Sequence, residues 1–235
     1  MHKLAVFVEG YTELLFVDRL ISEICGENIV TEHCEIIGGG KNKKIPRVAR
    51  ITKAAAADHD KRFFILIYDC RGDRQVAARI QQEHEPLTRA GFSKIIGIRD
   101  VFPDYLHADI PKLERLLKKY IKTSLIPVEF ILPIMELEAW FLAEFNHFAK
   151  INSSITTAEI KSKLGFDPEH DDLSLRLTPT EDLNSAYMLG GKSYVKGVDS
   201  TIKALDYPFL YVELTKKIPY LNRLGMSIDD FFDQA

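Results

Sequence analysis

The sequence has little cysteine. Its three cysteines, Cys25, Cys34 and Cys70, lie far apart in the chain, and no CxxC spacing occurs. Zinc sites and disulfide frameworks usually show such spacings or a denser set of cysteines. We therefore expect neither, and the sparse cysteine usage favours a reducing compartment, the cytoplasm.

Long apolar runs are also missing. Only five apolar residues, Leu4 to Val8, separate Lys3 from Glu9. This run is too short for the apolar core of a signal peptide, and nothing later in the chain approaches the roughly 20 residues of a membrane span. We expect no membrane association.

Several catalytic signatures and a general basic charge are absent too. The seven histidines show no HxH or HExxH spacing, and no Gly-x-Ser-x-Gly motif is present. These absences leave a zinc hydrolase or a serine hydrolase without support. The net charge of −3 and the pI near 6.2 exclude a generally basic nucleic-acid coat protein, so any phosphate contacts must be local.

Strand and helix patterns alternate over the first 150 residues, and 46% apolar composition is enough for a core. Alternation of this kind predicts an α/β fold with a mostly parallel sheet, right-handed crossovers and helices on both faces. Strands are expected at 3–8, 29–37, 63–68, 94–98 and 129–134, and helices at 11–24, 46–58, 74–90 and 110–122. Residues 1–150 should form this domain, and 151–235, which are broken by prolines and glycines, a helical extension packed on it.

Acidic residues follow three of the predicted strands. They are Glu9 and Glu13, then Asp69 and Asp73, then Glu136 and Glu138. If these strands are neighbours, their carboxyl ends bring several carboxylates into one cleft, where a Mg²⁺ or Mn²⁺ ion would relieve the repulsion. The alternative is a set of solvated acids at sheet edges. Glu136 and Glu138 would not share a helical face, so we expect only one of them in the cleft.

The segment Val8-Glu9-Gly10-Tyr11-Thr12-Glu13, together with Asp69 after a later strand, resembles the TOPRIM domain. This is the metal-binding α/β domain of topoisomerases, primases and overcoming-lysogenisation-defect-type nucleases. The chain is more closely similar to a TOPRIM-like bacterial family of unknown function. That similarity covers this segment and two further blocks, residues 136–142 and residues 192–196 with 208–209.

The resemblance implies a role for each acid. Glu9 would be the signature acid, a metal ligand or general acid/base, and Asp69 would open an Asp-x-Asp metal motif. The chain departs from that motif at Arg71, where the second acid should stand. Asp73 substitutes for it if the loop curls, or the second metal contact is lost. Glu13 and Glu138 complete the candidate metal ligands.

The resemblance also implies a function and partners. It predicts a Mg²⁺- or Mn²⁺-dependent nuclease or phosphodiesterase acting on DNA or RNA, with an effector role in bacterial antiviral defence or an ATPase partner. The alternative is a catalytically degenerate module that binds metal, nucleic acid or a partner ATPase.

Two basic stretches are candidate phosphate-binding segments. No acid occurs from Ile36 to Ala57, and the bases there are Lys41, Lys43, Lys44, Arg47, Arg50 and Lys53. The preceding glycines and the start of the predicted helix could hold a phosphate, although a solvated loop and an outer helix face explain the same pattern. Gly190-Gly191-Lys192-Ser193 imitates part of a P-loop, but no strand precedes it, so a Walker motif is rejected. Lys192 and Lys196 could still reach the acidic cleft.

Overall fold

The computed structural model describes residues 1–37, 48–56, 60–119 and 121–234. Its strands are β1 (His2–Val8), β2 (Ile29–Ile37), β3 (Val48–Lys53), β4 (Phe63–Asp69), β5 (Lys94–Ile98) and β6 (Val128–Ile131). Its helices are α1 (Tyr11–Cys25), α2 (Asp73–Arg89), α3 (Ile110–Lys118), α4 (Glu138–Ala143), α5 (Asn146–Ile151), α6 (Thr157–Leu164), α7 (Pro179–Leu189), α8 (Asp199–Ala204), α9 (Tyr207–Val212) and α10 (Pro219–Asp233).

The six strands form one sheet in the order β3-β2-β4-β1-β5-β6. All neighbouring pairs are parallel except β2 and β3. The crossover from β1 to β2 and the crossover from β4 to β5 run in opposite directions along the sheet. Right-handed crossovers therefore place α1 and α2 on opposite faces. The predicted α/β fold with a mostly parallel sheet is confirmed.

Strands β1 and β4 form the centre of the sheet. The side chains from Leu4 to Val8 are fully buried, as are Ile65 and Ile67. These strands are apolar without alternation because helices cover both faces. Packing is equally close at Gly97 of β5, where a Cβ would lie 2.6 Å from Ile80 Cδ1 and 2.9 Å from Phe130 Cδ1.

The helix predicted over residues 46–58 is wrong. In its described part, Val48–Lys53 forms strand β3, which pairs antiparallel with β2. Val48, Ile51 and Thr52 are β-branched and favour extended backbone. Their spacing also fits one face of a helix. The strand forms instead because the edge of β2 offers hydrogen-bonding partners to an extended backbone.

The other predicted elements of the sheet region are present with small shifts at their ends. Helix α3 ends at Lys118 rather than at residue 122, and β6 ends at Ile131 rather than at residue 134. Residues 151–234 contain helices and turns and no strand. Over the described ranges, no helix combines the length and apolar content needed to cross a membrane.

By its internal contacts the chain divides into two compact units. The first unit contains the whole sheet and comprises Met1–Arg99, Glu114–Ile131 and Ser227–Ala235. The second comprises Asp100–Leu113 and Leu132–Met226 and contains helices α4 to α9. These limits differ from the boundary expected at residue 150, and the division into two folding domains stays a prediction.

Candidate functional site

Glu9 and Asp69 stand at the carboxyl ends of the two central strands. Strands β1 and β4 are parallel neighbours, and the residue before Glu9, Val8, is paired with Asp69. Neighbouring strands lie about 4.8 Å apart. The Glu9 and Asp69 residues are only 8% and 6% exposed. The structure thus places both predicted acids, buried, at the edge where open α/β sheets bind ligands.

The turn after β4 is tied to the end of β1 by backbone hydrogen bonds. Cys70 N–H donates to the Val8 carbonyl (2.9 Å), and Gly72 N–H donates to the Glu9 carbonyl (2.8 Å). Between them, Arg71 adopts a left-handed backbone with φ of 55°, and its N–H donates to Asp69 Oδ1 at 2.8 Å. The turn therefore holds the Asp69 carboxylate in place.

A third acid at this edge, Glu35, was not among the predicted site residues. It lies in β2, is paired with Asp69 across the parallel ladder, and is 6% exposed. Because it comes two residues before the end of β2, a search for acids that directly follow strands passes over it. Arg50 donates to its Oε1 and Arg71 donates to its Oε2. We call Glu9, Glu35, Asp69 and Arg71 the carboxyl-edge cluster.

The acids of the carboxyl-edge cluster differ in their electrostatics. Burial raises the pKa of Asp69, and the nearby charge of Glu35 raises it further, against the opposing effect of Arg71. Burial would also raise the pKa of Glu35, but hydrogen bonds from Arg50 and Arg71 lower it overall. The negative charge of Glu35 is thus matched by two arginines. For Asp69, the rise in pKa caused by burial exceeds the lowering caused by Arg71.

The Cys70 thiol is close to both candidate metal ligands. Its pKa is raised chiefly by burial, and the negative charges of Asp69 and Glu9 raise it further. Such a thiol stays protonated at neutral pH and is a poor nucleophile or metal ligand. We therefore assign Cys70 no chemical role at this edge.

Glu13 lies in the first turn of α1 and is 5% exposed. Its carboxylate folds back over the start of the helix, because a Cβ on Gly10 would lie 3.2 Å from Glu13 Oε2. An acid at this helical position stabilises the positive end of the helix dipole. This structural role accounts for Glu13 without a metal, and its role as a ligand stays a prediction.

Glu136 and Glu138 belong to the second unit, where both contact Lys196. The Lys196 ammonium lies 3.4 Å from Glu136 Oε1 and 3.3 Å from Glu138 Oε1. The helical spacing rule does not apply to them, since α4 begins only at Glu138. The two carboxylates therefore converge on Lys196 within the second unit. The expectation that only one of them enters the cleft stays a prediction.

Further hydrogen bonds fix these two acids. Glu136 Oε2 accepts from the Thr180 N–H at 2.9 Å. Glu138, which is fully buried, accepts from the Tyr194 hydroxyl at 2.7 Å. Two sequence blocks far apart in the chain, 136–142 and 192–196, thus meet in one hydrogen-bonded group. Lys196 thus contacts two of the candidate acids, Glu136 and Glu138.

The remaining predicted residues have varied positions. Lys41, Lys43, Lys44 and Arg47 lie outside the described residues, and of Asp73 only the backbone, at the start of α2, is described. Lys53 contacts Asp18, and Trp140 and Phe141 in the 136–142 block are buried. Because Val48–Lys53 forms a strand, Arg50 and Lys53 do not lie on the predicted helix. Across the described ranges, no group of three or more His, Cys, Asp or Glu side chains is arranged to hold a metal ion.

Comparison with known proteins adds little. No protein-family model matches the sequence, and no curated protein matches it. A solved structure from Lactobacillus plantarum WCFS1, provisionally described as a cell surface hydrolase, is similar with a TM-score of 0.36 and 12% sequence identity. The match covers 60% of this chain and 57% of that chain. A similarity this low carries no argument about function.

Proposed function

We propose that the chain is a Mg²⁺- or Mn²⁺-dependent phosphodiester hydrolase of the nuclease type, with its cation held by Glu9 and Asp69. The observation that supports this proposal is the placement of two buried carboxylates at the carboxyl ends of neighbouring parallel strands. This placement accords with the resemblance of the first segment to TOPRIM-like proteins, which is itself part of the proposal.

The residues fit a divalent cation. Burial disfavours the ionised form of Asp69, and a bound cation would stabilise that form. Mg²⁺ is commonly held by one or two carboxylates, with waters and substrate phosphate oxygens completing its coordination. Two protein ligands are therefore enough. When bound, such a cation supplies an activated water and neutralises charge on the phosphate.

The surrounding residues would position the ligands and the substrate. The Arg71 N–H fixes the orientation of the Asp69 carboxylate, and the Gly72 N–H fixes the backbone at Glu9. The Arg71 side chain is 57% exposed, so part of its guanidinium faces solvent beside the acids. The positive charge of this guanidinium would attract an anionic phosphodiester to the site.

A second candidate function rests on the same arginine. Arg71 stands where the resemblance expects an acid, and it is already engaged with Glu35. If this replacement removes a required ligand, the site would bind a cation or a nucleic acid without cleaving it.

Cleavage assays distinguish the candidates. Labelled single-stranded DNA, duplex DNA and RNA would be incubated with the chain and Mn²⁺. We expect Glu9→Gln and Asp69→Asn each to lower the cleavage rate at least 100-fold, because each removes a charged ligand of the cation. Glu85→Gln, an exposed change on α2, is the matched control and should leave the rate unchanged.

Equal rates in the wild type and both site variants would contradict the proposed hydrolase. Absence of cleavage in the wild type, together with cleavage in Arg71→Asp, would establish the second candidate instead. Thermal unfolding with and without Mn²⁺ reads out cation binding separately, since a ligand of the native state raises the melting temperature. That rise should disappear in Glu9→Gln.

A further inference from the structure

A basic pocket in the second unit has no place in the proposed catalytic site. It has a volume of about 500 Å³, and its polar lining comes from Lys150, Lys192, Ser193, Ser200 and Lys203, beside the ring of Tyr187. We propose that this pocket binds the phosphate groups of a small anionic ligand of nucleotide size. This inference does not depend on hydrolase activity at Glu9 and Asp69.

The charge of the pocket favours an anion. Three of its lining residues are lysines, and none of the described residues that line it is acidic. Lys203 forms an ion pair with Asp199 at 2.5 Å. Within the described ranges, the ammonium groups of Lys150 and Lys192 form neither an ion pair nor a side-chain hydrogen bond. Lysine ammonium and serine hydroxyl groups are the donors that phosphate oxygens accept from.

The loop that carries Lys192 and Ser193 is held on both sides. Before it, Asn152 Nδ2 donates to the Gly190 carbonyl at 2.8 Å. After it, the Tyr194 N–H donates to Asn184 Oδ1 at 3.0 Å. A Cβ on Gly190 would lie 2.7 Å from Ile155 Cγ1, so the backbone packs directly on its neighbours. A loop held in this way presents its donors with little ordering cost on binding.

Tyr187, another residue that lines the pocket, is also held in place. Tyr187 is 2% exposed, and its hydroxyl is hydrogen-bonded to Thr201 Oγ1 at 2.9 Å. Its ring meets the Tyr194 ring edge-on, with the ring centroids 6.1 Å apart. Together with Ile151 and Ala204, Tyr187 gives the pocket apolar lining beside the lysines, which suits a ligand that has both a phosphate and an apolar part.

The pocket also explains the Gly190-Gly191-Lys192-Ser193 segment. The segment follows helix α7 rather than a strand, so rejection of a Walker motif was correct. Its lysine and serine nevertheless line a cavity together with lysines of α5 and α8. Small-molecule sites occupy roughly 300–1,000 Å³, and the volume of this pocket, about 500 Å³, falls within that range.

Calorimetric titration of the full chain tests the proposal. The probes are pyrophosphate, ATP and a 20-nucleotide single-stranded DNA, with EDTA present to remove any contribution of divalent cations. We expect pyrophosphate and ATP to bind, and each of Lys150→Gln and Lys192→Gln to raise the dissociation constant about 10-fold. Lys112→Gln, which removes one exposed charge outside the pocket, should change it less than twofold.

Two results would overturn the inference. One is absence of binding of both small anions to the wild type. Another is an equal dissociation constant in wild type and in a folded Lys150→Gln/Lys192→Gln double variant, with circular dichroism as the check on folding. Binding of the oligonucleotide alone would identify a strand-binding surface instead. Because EDTA is present and no cleavage is measured, absence of anion binding would not contradict the proposed hydrolase. Likewise, absence of cleavage would not contradict anion binding in this pocket.

Discussion

At the scale of single residues, Arg71 determines the charge balance of the carboxyl-edge cluster and the orientation of one of its acids. Its N–H orients Asp69 and its guanidinium neutralises Glu35. This leaves Asp69 as an acid whose ionisation is disfavoured by burial. The charge of such a residue destabilises the folded chain, and under the proposed function a bound cation would offset that cost.

Asp69→Asn should therefore stabilise the chain at pH 7 when divalent cations are absent. Asparagine keeps an oxygen that accepts the Arg71 N–H but carries no buried charge. The folded-state pKa of Asp69 is raised, so the wild type loses stability as pH rises from the unfolded value, about 3.9, through the folded value. The variant's advantage should be present at pH 7 and vanish near pH 4 and below.

Urea unfolding in EDTA at pH 7 and pH 4 measures this difference. Asp233→Asn, an exposed change near the carboxyl terminus, controls for the loss of one charge. A lower free energy of unfolding for Asp69→Asn than for wild type at pH 7 would show that the Asp69 charge is well compensated.

At the scale of elements, one acid of α1 joins three parts of the first unit. Asp18 Oδ2 lies 3.2 Å from His33 Nε2 of β2 and 3.0 Å from Lys53 Nζ of β3. Lys53 also donates to Thr31 Oγ1 at 2.7 Å. The residues 48–53 thus gain a side-chain anchor in addition to their backbone pairing, which helps to hold them as a strand.

We expect Asp18→Asn to lower the free energy of unfolding at pH 7 by about 2 kcal/mol, since one pKa unit corresponds to about 1.4 kcal/mol. Burial would raise the pKa of Asp18, but hydrogen bonds from His33 and Lys53 and their charges lower it to about 2. The stabilisation is complete above the unfolded pKa, about 3.9, and is lost as pH falls toward 2.

Urea unfolding over the range from pH 7 to pH 3 checks this pH dependence. The gap between wild type and Asp18→Asn should shrink below pH 4. Glu23→Gln on the same helix, which removes an exposed ion pair with Arg19, should cost less than about 1 kcal/mol at pH 7. A gap that is independent of pH would mean that the Asp18 charge does not contribute.

At the scale of the whole molecule, the carboxyl-terminal residues belong to the sheet unit. Helix α10 begins in the second unit, and its last residues, from Ser227 on, lie in the first. There the Phe231 ring lies 5.5 Å from the Phe63 ring of β4, and Lys94 of β5 donates to the Ser227 carbonyl. A chain cut at residue 150 would therefore lose part of the packing of the sheet.

Phe231→Ala should lower the free energy of unfolding by about 3–5 kcal/mol, the usual cost of removing a buried aromatic ring. Phe231 is 2% exposed, whereas Met226 on the same helix is 56% exposed. Met226→Ala is the matched control and should cost less than about 1 kcal/mol. Urea unfolding measures both, and equal effects would show that the end of α10 does not stabilise the sheet unit.

The sequence by itself determined the centre of the sheet and the position of two acids. The apolar runs at residues 4–8 and 63–68 are long enough to require burial on both faces, and Glu9 and Asp69 come at their ends. Local pattern was sufficient there, because every residue in the run favours the same conformation and the same environment.

The tertiary structure alone decided what depends on a partner distant in sequence. Residues 48–53 form a strand because β2 offers an unpaired edge, and Glu35 joins the cluster because the ladder pairs it with Asp69. Arg71 neutralises Glu35 across 36 positions of the chain, and Lys192 and Lys150 line one pocket because of how the helices pack. Strand register and helix packing follow from burial of the whole core, so no local segment specifies these contacts.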